Sequence, residues 1–444
     1  MKLNTKRTVL VGFAFLSICA FWQLYDALIP LILNTTFKLS ESISGFIMAA
    51  DNVLALFLLP FFGGLSDRCK SPLGRRRPFI LVGTLLAVAM MVILPLLDNS
   101  YYSAPKGYKL IMFVAALGVL LFAMGIYRSP AVALMPDVTP KPLRSKGNAI
   151  INLMGAVGGV VYLIVAGLLY SSSRIAGMEH VDYFAAFAII AGVMLLALFI
   201  LMFFVNEPKL VREQEEYEKA HPEEILTVAR GETEKQVMPP DVKRSLGFLL
   251  ASIALWFIGY NGVTTWFSTY AKRVWSMEAG DSALCLTVAT VGAIISYIPV
   301  GNIASKVGRR RTIKFGVVLL ASCFAAGFVF TLFSSSFHWI LFVIFALVGV
   351  AWASINVNSL PMVVEMCSGA DVGKFTGLYY TFSMSAQIMT PIVAGFLLEH
   401  IGYKVLFIYA AAFVALAFVT MSFVRHGDNK IEAKKGLEAF DVED

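Results

Sequence analysis

The sequence predicts an all-α polytopic membrane protein of twelve transmembrane helices, arranged as two pseudo-symmetric six-helix bundles. Three observations predict it. First, 58% of the 444 residues are hydrophobic and 15% are charged, against about 25% charged in a soluble protein. The apolar residues fall in runs of about 20, enough to cross about 30 Å of hydrocarbon at about 1.5 Å per residue. Second, one hinge recurs. Gly63, Asp67, Arg68, Gly74, Arg75, Arg76 and Arg77 join the second run to the third, and Gly301, Ser305, Lys306, Gly308, Arg309, Arg310 and Arg311 join the eighth to the ninth. A repeated hinge marks a duplicated bundle. Third, the basic residues sit in alternate loops.

In chain order the spans are expected at about 8–33, 43–65, 79–97, 109–134, 147–170, 184–205, 246–271, 281–304, 313–333, 338–364, 374–398 and 403–424. The first follows Lys2, Lys6 and Arg7, as in a signal peptide. Its apolar run outlasts a signal peptide's and no small-residue cleavage site follows, so it reads as a spanning helix. Residues 206–245 are dense in Glu, Lys and Arg and form a solvated linker, with an amphipathic helix expected around Glu213–Lys219. The domains are therefore 1–205 and 246–425, the two six-helix bundles, with a cytoplasmic linker at 206–245 and a cytoplasmic tail at 426–444.

With the N-terminus inside, the inside segments hold 28 Lys and Arg and the outside loops 7. This places both termini in the cytoplasm of a multi-pass plasma-membrane protein. The net charge of +7 then reports topology and anionic lipid headgroups, not nucleic acid. Cys19, Cys69, Cys285, Cys323 and Cys367 have no metal-site or disulfide spacing and read as reduced small hydrophobes.

A second echo supports the duplication. Asp137 follows span four, then Arg144 and Gly147; Glu365 follows span ten, then Lys374 and Gly377. The hinge reads as a latch in which Asp67, at a cytoplasmic helix end, pairs with arginines or with a neighbouring helix dipole. The plainer reading is topology alone. Ser305 stands where Asp67 would be in the second copy, so a latch there is asymmetric.

Away from the span ends, the remaining basic residue, Arg128, lies inside span four, and two acids, Asp26 and Asp51, lie inside spans one and two. A charge there costs at least about 2.5 kcal/mol, and such residues usually face a cavity. The two acids and the base can pair across a central cavity, where one Asp can exchange a proton near neutral pH. The alternative is that Arg128 only balances an Asp structurally. Sugars need aromatic faces and amides or carboxylates. Trp22, Gln23, Tyr25 and Asp26 on span one supply that mixture, with Asn52 beside Asp51. Tyr260, Asn261 and Trp266 on span seven supply it again; Asn356 and Asn358 on span ten and Gln387 on span eleven add amides, and Trp352 a ring. Each has a plainer reading as interfacial belt or helix-to-helix hydrogen bonding, Tyr270 first among them. Gly155, Gly158 and Gly159 read as close helix packing.

The hinge resembles the signature of the major facilitator superfamily, Gly-x-x-x-Asp-Arg-x-Gly-Arg-Arg, in Gly63, Asp67-Arg68 and, after an insertion, Gly74-Arg75-Arg76. Ser66 to Ile80, with Ala133-Leu134, Asp137 and Asn148-Ala149, resembles the sucrose-transporter branch of the glycoside–pentoside–hexuronide:cation symporters. The resemblance implies the major facilitator fold, gating at the hinge, and import of a sucrose- or maltose-like disaccharide with a cation. The sequence departs from it on span four. Plant sucrose transporters place an Asp eleven residues before their Arg, where this chain has Leu117, or Leu121 under a shifted alignment. Leu58-Leu59 before Pro60 also replaces the cation-binding acids of melibiose-type members. Coupling then passes to Asp26 or Asp51, and a proton is expected rather than sodium.

The expected function is a secondary carrier importing a sugar or glycoside with protons by alternating access. The alternative is a drug or metabolite exporter working by proton antiport; the antiporter element Gly-Pro-x-x-Gly-Gly lacks its Pro at Gly155–Gly159. An enzyme is not expected, because the spans carry no His cluster or nucleophile elbow. The expected partners are the sugar, the coupling proton and membrane lipids. No cofactor, metal or nucleic acid is expected, and the protein is expected as a monomer.

Overall fold

The computed structural model describes residues 4–140, 143–175, 177–220, 238–366 and 372–428. They form α1 (Thr5–Thr35), α2 (Glu41–Asp67), α3 (Arg77–Ser103), α4 (Gly107–Asp137), α5 (Arg144–Leu169), α6 (Ser172–Ile175), α7 (Phe184–Phe204), α8 (Glu207–Ala220), α9 (Pro240–Trp275), α10 (Ala279–Val307), α11 (Arg309–Phe333), α12 (Ile340–Glu365), α13 (Val372–His400) and α14 (Val405–Ser422). Twelve of these are long and apolar enough to cross a membrane, all except α6 and α8.

Most helices overrun the expected spans. A helix of 31 residues, such as α1 or α4, is about 46 Å long and projects beyond the hydrocarbon at both ends. One overrun corrects the sequence reading. Span three was expected to stop at about residue 97, but α3 runs to Ser103 and carries Asp98 inside it, wholly buried. The amphipathic helix of the linker also starts earlier than expected, at Glu207; the rest of the linker from 221 to 237, and the tail from 429, lie outside the described residues. Cys19, Cys69, Cys285 and Cys323 form no disulfide among the described residues; Cys367 lies outside the described residues.

The chain forms two compact units. The first is Met1–Ser40, Ala50–Pro222 and Glu278–Ala283; the second is Glu41–Ala49, Glu223–Met277 and Leu284–Asp444. In the first unit α1 packs against α5, α7 and α4, and α3 packs against α4 and α7. α1 is the most enclosed spanning helix, with 61% of its apolar window buried against 50% or less elsewhere. Small residues permit this: a Cβ on Gly158 of α5 would overlap the Leu16 carbonyl oxygen of α1, so the two helices touch backbone to backbone. In the second unit α9 packs against α13 and α14, and α11 against α12 and α14. α2 presents Phe57 and Phe61 to its surroundings, as a lipid-facing helix does.

Candidate functional site

Within the buried α1, one stripe is half-exposed: Phe15, Cys19, Trp22, Gln23 and Asp26. The intervals of four, three, one and three residues keep them on one helix face. The face is polar where it passes Trp22, Gln23 and Asp26. Three of the expected charges meet there. Asp26 interacts electrostatically with Asp51 and Arg128, and Asp51 with Arg128. The Arg128 guanidinium lies 5.7 Å from the Trp22 ring centroid, within cation–π range. Asn52 turns back on Asp51, its backbone N–H and its Nδ2 donating to the same carboxylate oxygen at 2.5 and 2.8 Å. The Trp22 indole N–H and the wholly buried Tyr25 hydroxyl have no hydrogen-bond partner among the described residues. Two carboxyls, one guanidinium, an aromatic face and unused donors can together exchange a proton and hold a polyol. Leu117 and Leu121 are packed into the apolar interior.

In the second unit, the Tyr260 and Trp352 rings stack at 3.8 Å between centroids, 7° from parallel, and Phe257 meets Trp352 edge-on at 5.3 Å. All three are half-exposed, as is Gln387. Asn261, next along α9, has its Nδ2 buried without a hydrogen-bond partner among the described residues. Three expected residues stand behind this face. Trp266 is fully buried with its ring against Gly395. Asn356 and Asn358 are also buried, and Asn358 donates to the Ser354 carbonyl at 3.0 Å, as a helix-packing amide does. Tyr270, buried, hydrogen-bonds Thr331 at 2.6 Å.

The hinge residues form a charge cluster in each unit. In the first, Arg76, 6% exposed, reaches Asp67 with Nη2 at 2.5 Å, Asp137 with Nε at 2.7 Å and Ser66 with Nη1 at 2.5 Å; it also reaches the Gly63 carbonyl at 3.4 Å. Arg75 adds a longer contact to Asp137 at 3.7 Å. Burial alone would loosen the Arg76 proton, but Asp137 and then Asp67 outweigh it and hold the guanidinium charged. In the second, Arg309 pairs with Glu365 at 2.6 Å. Ser305, in the place of Asp67, turns back to the Asn302 carbonyl. Arg68 and Lys374 are exposed and Gly301 half-buried; Arg144 donates to the Thr139 carbonyl at 3.3 Å.

Two residues central to these clusters escaped the sequence reading. The buried Glu207 carboxylate accepts the backbone N–H groups of Arg75, Arg76 and Arg77 at 2.7 to 3.1 Å, satisfying the open donors that start α3. Arg77 in turn donates to the Met202 carbonyl at the end of α7. In the second unit Asp428 accepts the Arg310 N–H at 3.3 Å and Arg310 donates to the Ser422 carbonyl at 3.0 Å. Gly74 (φ +111°) precedes the first cradle and Gly308 (φ +98°) the second, and a Cβ on either would collide with that acid. The signal was present: an acid follows Phe-Val just beyond the sixth and twelfth spanning helices, at Phe204-Val205 and Phe423-Val424.

A sequence model of the Major Facilitator Superfamily matches residues 11–282 and 275–441. The sucrose transport protein SUC3 of Arabidopsis thaliana is 31% identical over 152 residues, covering 32% of this chain and 25% of that protein. The proton-associated sugar transporter A of Mus musculus is 32% identical over 121 residues, 26% of this chain and 16% of that protein. The matched stretch thus spans a quarter or less of these two relatives. The xylose transporter XylE from E. coli, solved in an inward-open conformation, superposes with a TM-score of 0.67 at 16% identity over 97% of both chains, a likeness of fold. The duplicated hinge, the twelve spanning helices and a match that runs nearly end to end converge on one family: the chain belongs to the Major Facilitator Superfamily.

Proposed function

We propose that this protein imports a sugar or glycoside of the sucrose or maltose class together with a proton, by alternating access, across a plasma membrane whose cytoplasmic side holds both termini. The observation that carries the reading is the meeting of Asp26, Asp51 and Arg128 along the half-exposed stripe of α1. Buried charges of this kind mark ion and substrate pathways. Asp26 and Asp51 carry the proton, and Arg128 offsets whichever carboxylate is bare. Trp22, Gln23 and Asn52 meet the sugar in the first unit. Tyr260, Asn261 and Gln387 meet it in the second, with Trp352 completing the aromatic face, backed by Trp266, Asn356 and Asn358. The matched stretches of the two sugar transporters support the substrate class. The hinge residues Gly63, Asp67, Arg68, Gly74, Arg75, Arg76, Asp137 and Arg144, with Gly301, Gly308, Arg309, Glu365 and Lys374, act as gates. A membrane potential of 100 mV supplies about 2.3 kcal/mol per charge moved, enough for concentrating uptake.

The test is uptake of labelled sucrose and maltose by cells expressing the protein, with and without a protonophore. The wild type should accumulate sugar and lose accumulation with the protonophore; Asp26→Asn, Asp51→Asn and Arg128→Ala should each abolish accumulation. Uptake indifferent to all three substitutions defeats the site. Efflux of a dye without sugar entry points to the exporter reading.

A further inference from the structure

At the far end of α3 from Arg76 lies a second buried carboxyl that the proposed carrier cycle does not use. Asp98 is 0% exposed and, among the described residues, neither carboxyl oxygen has a hydrogen-bond partner. Thr36, at the end of α1, lies beside it without closing a hydrogen bond. Among the described residues the one base within ion-pairing distance is His180, whose Nε2 is 3.8 Å from Asp98 Oδ2.

His180 is built into the same place. Asn99 donates through Nδ2 to Asp182 at 2.8 Å, so its Oδ1 faces His180 Nε2, also at 2.8 Å. An acceptor there requires the hydrogen to sit on Nε2. The imidazole stacks on Tyr102, 4.3 Å between centroids and 10° from parallel; Tyr102 donates to Glu179 at 3.0 Å. Asp182 also caps the start of α7 through the Phe184 N–H at 2.8 Å. The groups facing the pair are therefore Thr36 from α1, Asn99 and Tyr102 from α3, and Glu179, Asp182 and Tyr183 from residues 177–183. Glu278, in the first turn before α10, faces Tyr183. Lys109 of α4 is nearby in sequence to that end of α3, but its ammonium is bound to the Ser100 and Ala104 carbonyls at 2.6 and 2.9 Å.

We propose that Asp98 and His180 share one proton and form a proton-binding clasp that fastens residues 177–183 to the end of α3. With one proton the buried pair is neutral, whichever partner carries it. With none, a carboxylate is left buried and unpaired; with two, an imidazolium is, and both states are costly. When the clasp opens, both groups meet water and titrate near their ordinary values, about 3.9 for Asp and about 6.5 for His. Between those values the open form also holds one proton, so closure does not depend on pH. Above about 6.5 the open form holds none while the closed form holds one, so closure weakens about tenfold per pH unit. Burial lowers the proton affinity of His180 while the charge of Asp182 opposes it.

The test is hydrogen exchange of the full-length protein in lipid nanodiscs, read by mass spectrometry on peptides covering 177–184 at pH 6, 7 and 8 and corrected for intrinsic exchange. Wild-type protection should fall about threefold from pH 6 to 7 and about eightfold from pH 7 to 8. Asp98→Asn, whose closed form needs no proton, should show no fall: protection should rise about threefold from pH 6 to 7, as His180 in the open form loses its proton, and then hold level. His180→Gln leaves Asp98 to bind the proton alone, and a fall of about tenfold should already appear between pH 6 and 7; this variant also serves if Asp98→Asn fails to fold. Protection in the wild type that ignores pH, or an unchanged fall in either variant, overturns the proposal. The readout needs no transported substrate, so it stands or fails independently of the sugar reading.

Discussion

Glu207 grips Arg76 by its backbone: the Arg76 N–H points at both carboxylate oxygens, 3.0 and 3.1 Å away, while the Arg76 side chain is spent on Asp67 and Asp137. The same carboxylate takes the N–H groups of Arg75 and Arg77. Removing it strands three donors at a buried helix start. Glu207→Ala should cost about 1–3 kcal/mol or more, and Glu207→Gln, which keeps one acceptor oxygen, should cost less. Thermal unfolding of the detergent-purified protein checks the order: wild type, then Gln, then Ala.

Gly74 and Gly308 should both resist substitution. Each has a positive φ, which costs an L residue about 1–2 kcal/mol, and a Cβ on either meets the acid it cradles. Gly74→Ala and Gly308→Ala are each expected to lower the unfolding temperature. Gly64→Ala, at a glycine with open space around it, should leave it nearly unchanged. Equal melting of all three would remove the cradle argument.

The two charge clusters are unequal, and their variants should show it. Arg76 keeps Asp67 if Asp137 is neutralised. Arg309, with 16% of its side chain exposed, loses its 2.6 Å partner when Glu365 is. A partly buried guanidinium deprived of its carboxylate costs up to about 3–5 kcal/mol. Glu365→Gln should therefore destabilise more than Asp137→Asn, by thermal unfolding under one set of conditions. The reverse order would mean that Ser305 is no disadvantage.

On the proposed function, the Tyr260–Trp352 stack separates sugar contact from packing. An aromatic pair contributes about 0.5–1.5 kcal/mol beyond area burial, so Trp352→Ala and Tyr260→Ala should each raise the apparent KM for the transported sugar several-fold. Trp266→Phe keeps a ring in a buried slot and should show its effect in melting temperature more than in KM. A larger KM change at Trp266 than at Trp352 would place the sugar deeper than the exposed stack.

Much of this was legible in the sequence because the membrane forces it to be. Spanning helices must be apolar over about 20 residues, so their runs were visible, and Asp26, Asp51 and Arg128 stood out against them. What stayed hidden has two causes. Asp98 was missed because it opens the polar run Asp98-Asn99-Ser100, where the apolar run stops, whereas α3 continues to Ser103 and buries that charge against residues 177–183. Glu207 and Asp428 were missed because each lies 100 or more residues from the glycine it meets, and no local pattern announces that meeting. The same holds for Tyr260 and Trp352, which share a stack but sit 92 positions apart.

The twin cradles also bear on how far the protein can be altered. In each half the acid trails the last helix and returns to the opening of the third, so each lobe is stitched shut by its own thread. That thread is present in both lobes although Ser305 stands in the second where the first has Asp67, so the tie does not depend on that acid. The first lobe's knot is tied by Glu207, the opening residue of the tether's own helix, so the tether is held at that residue and open to change only beyond it.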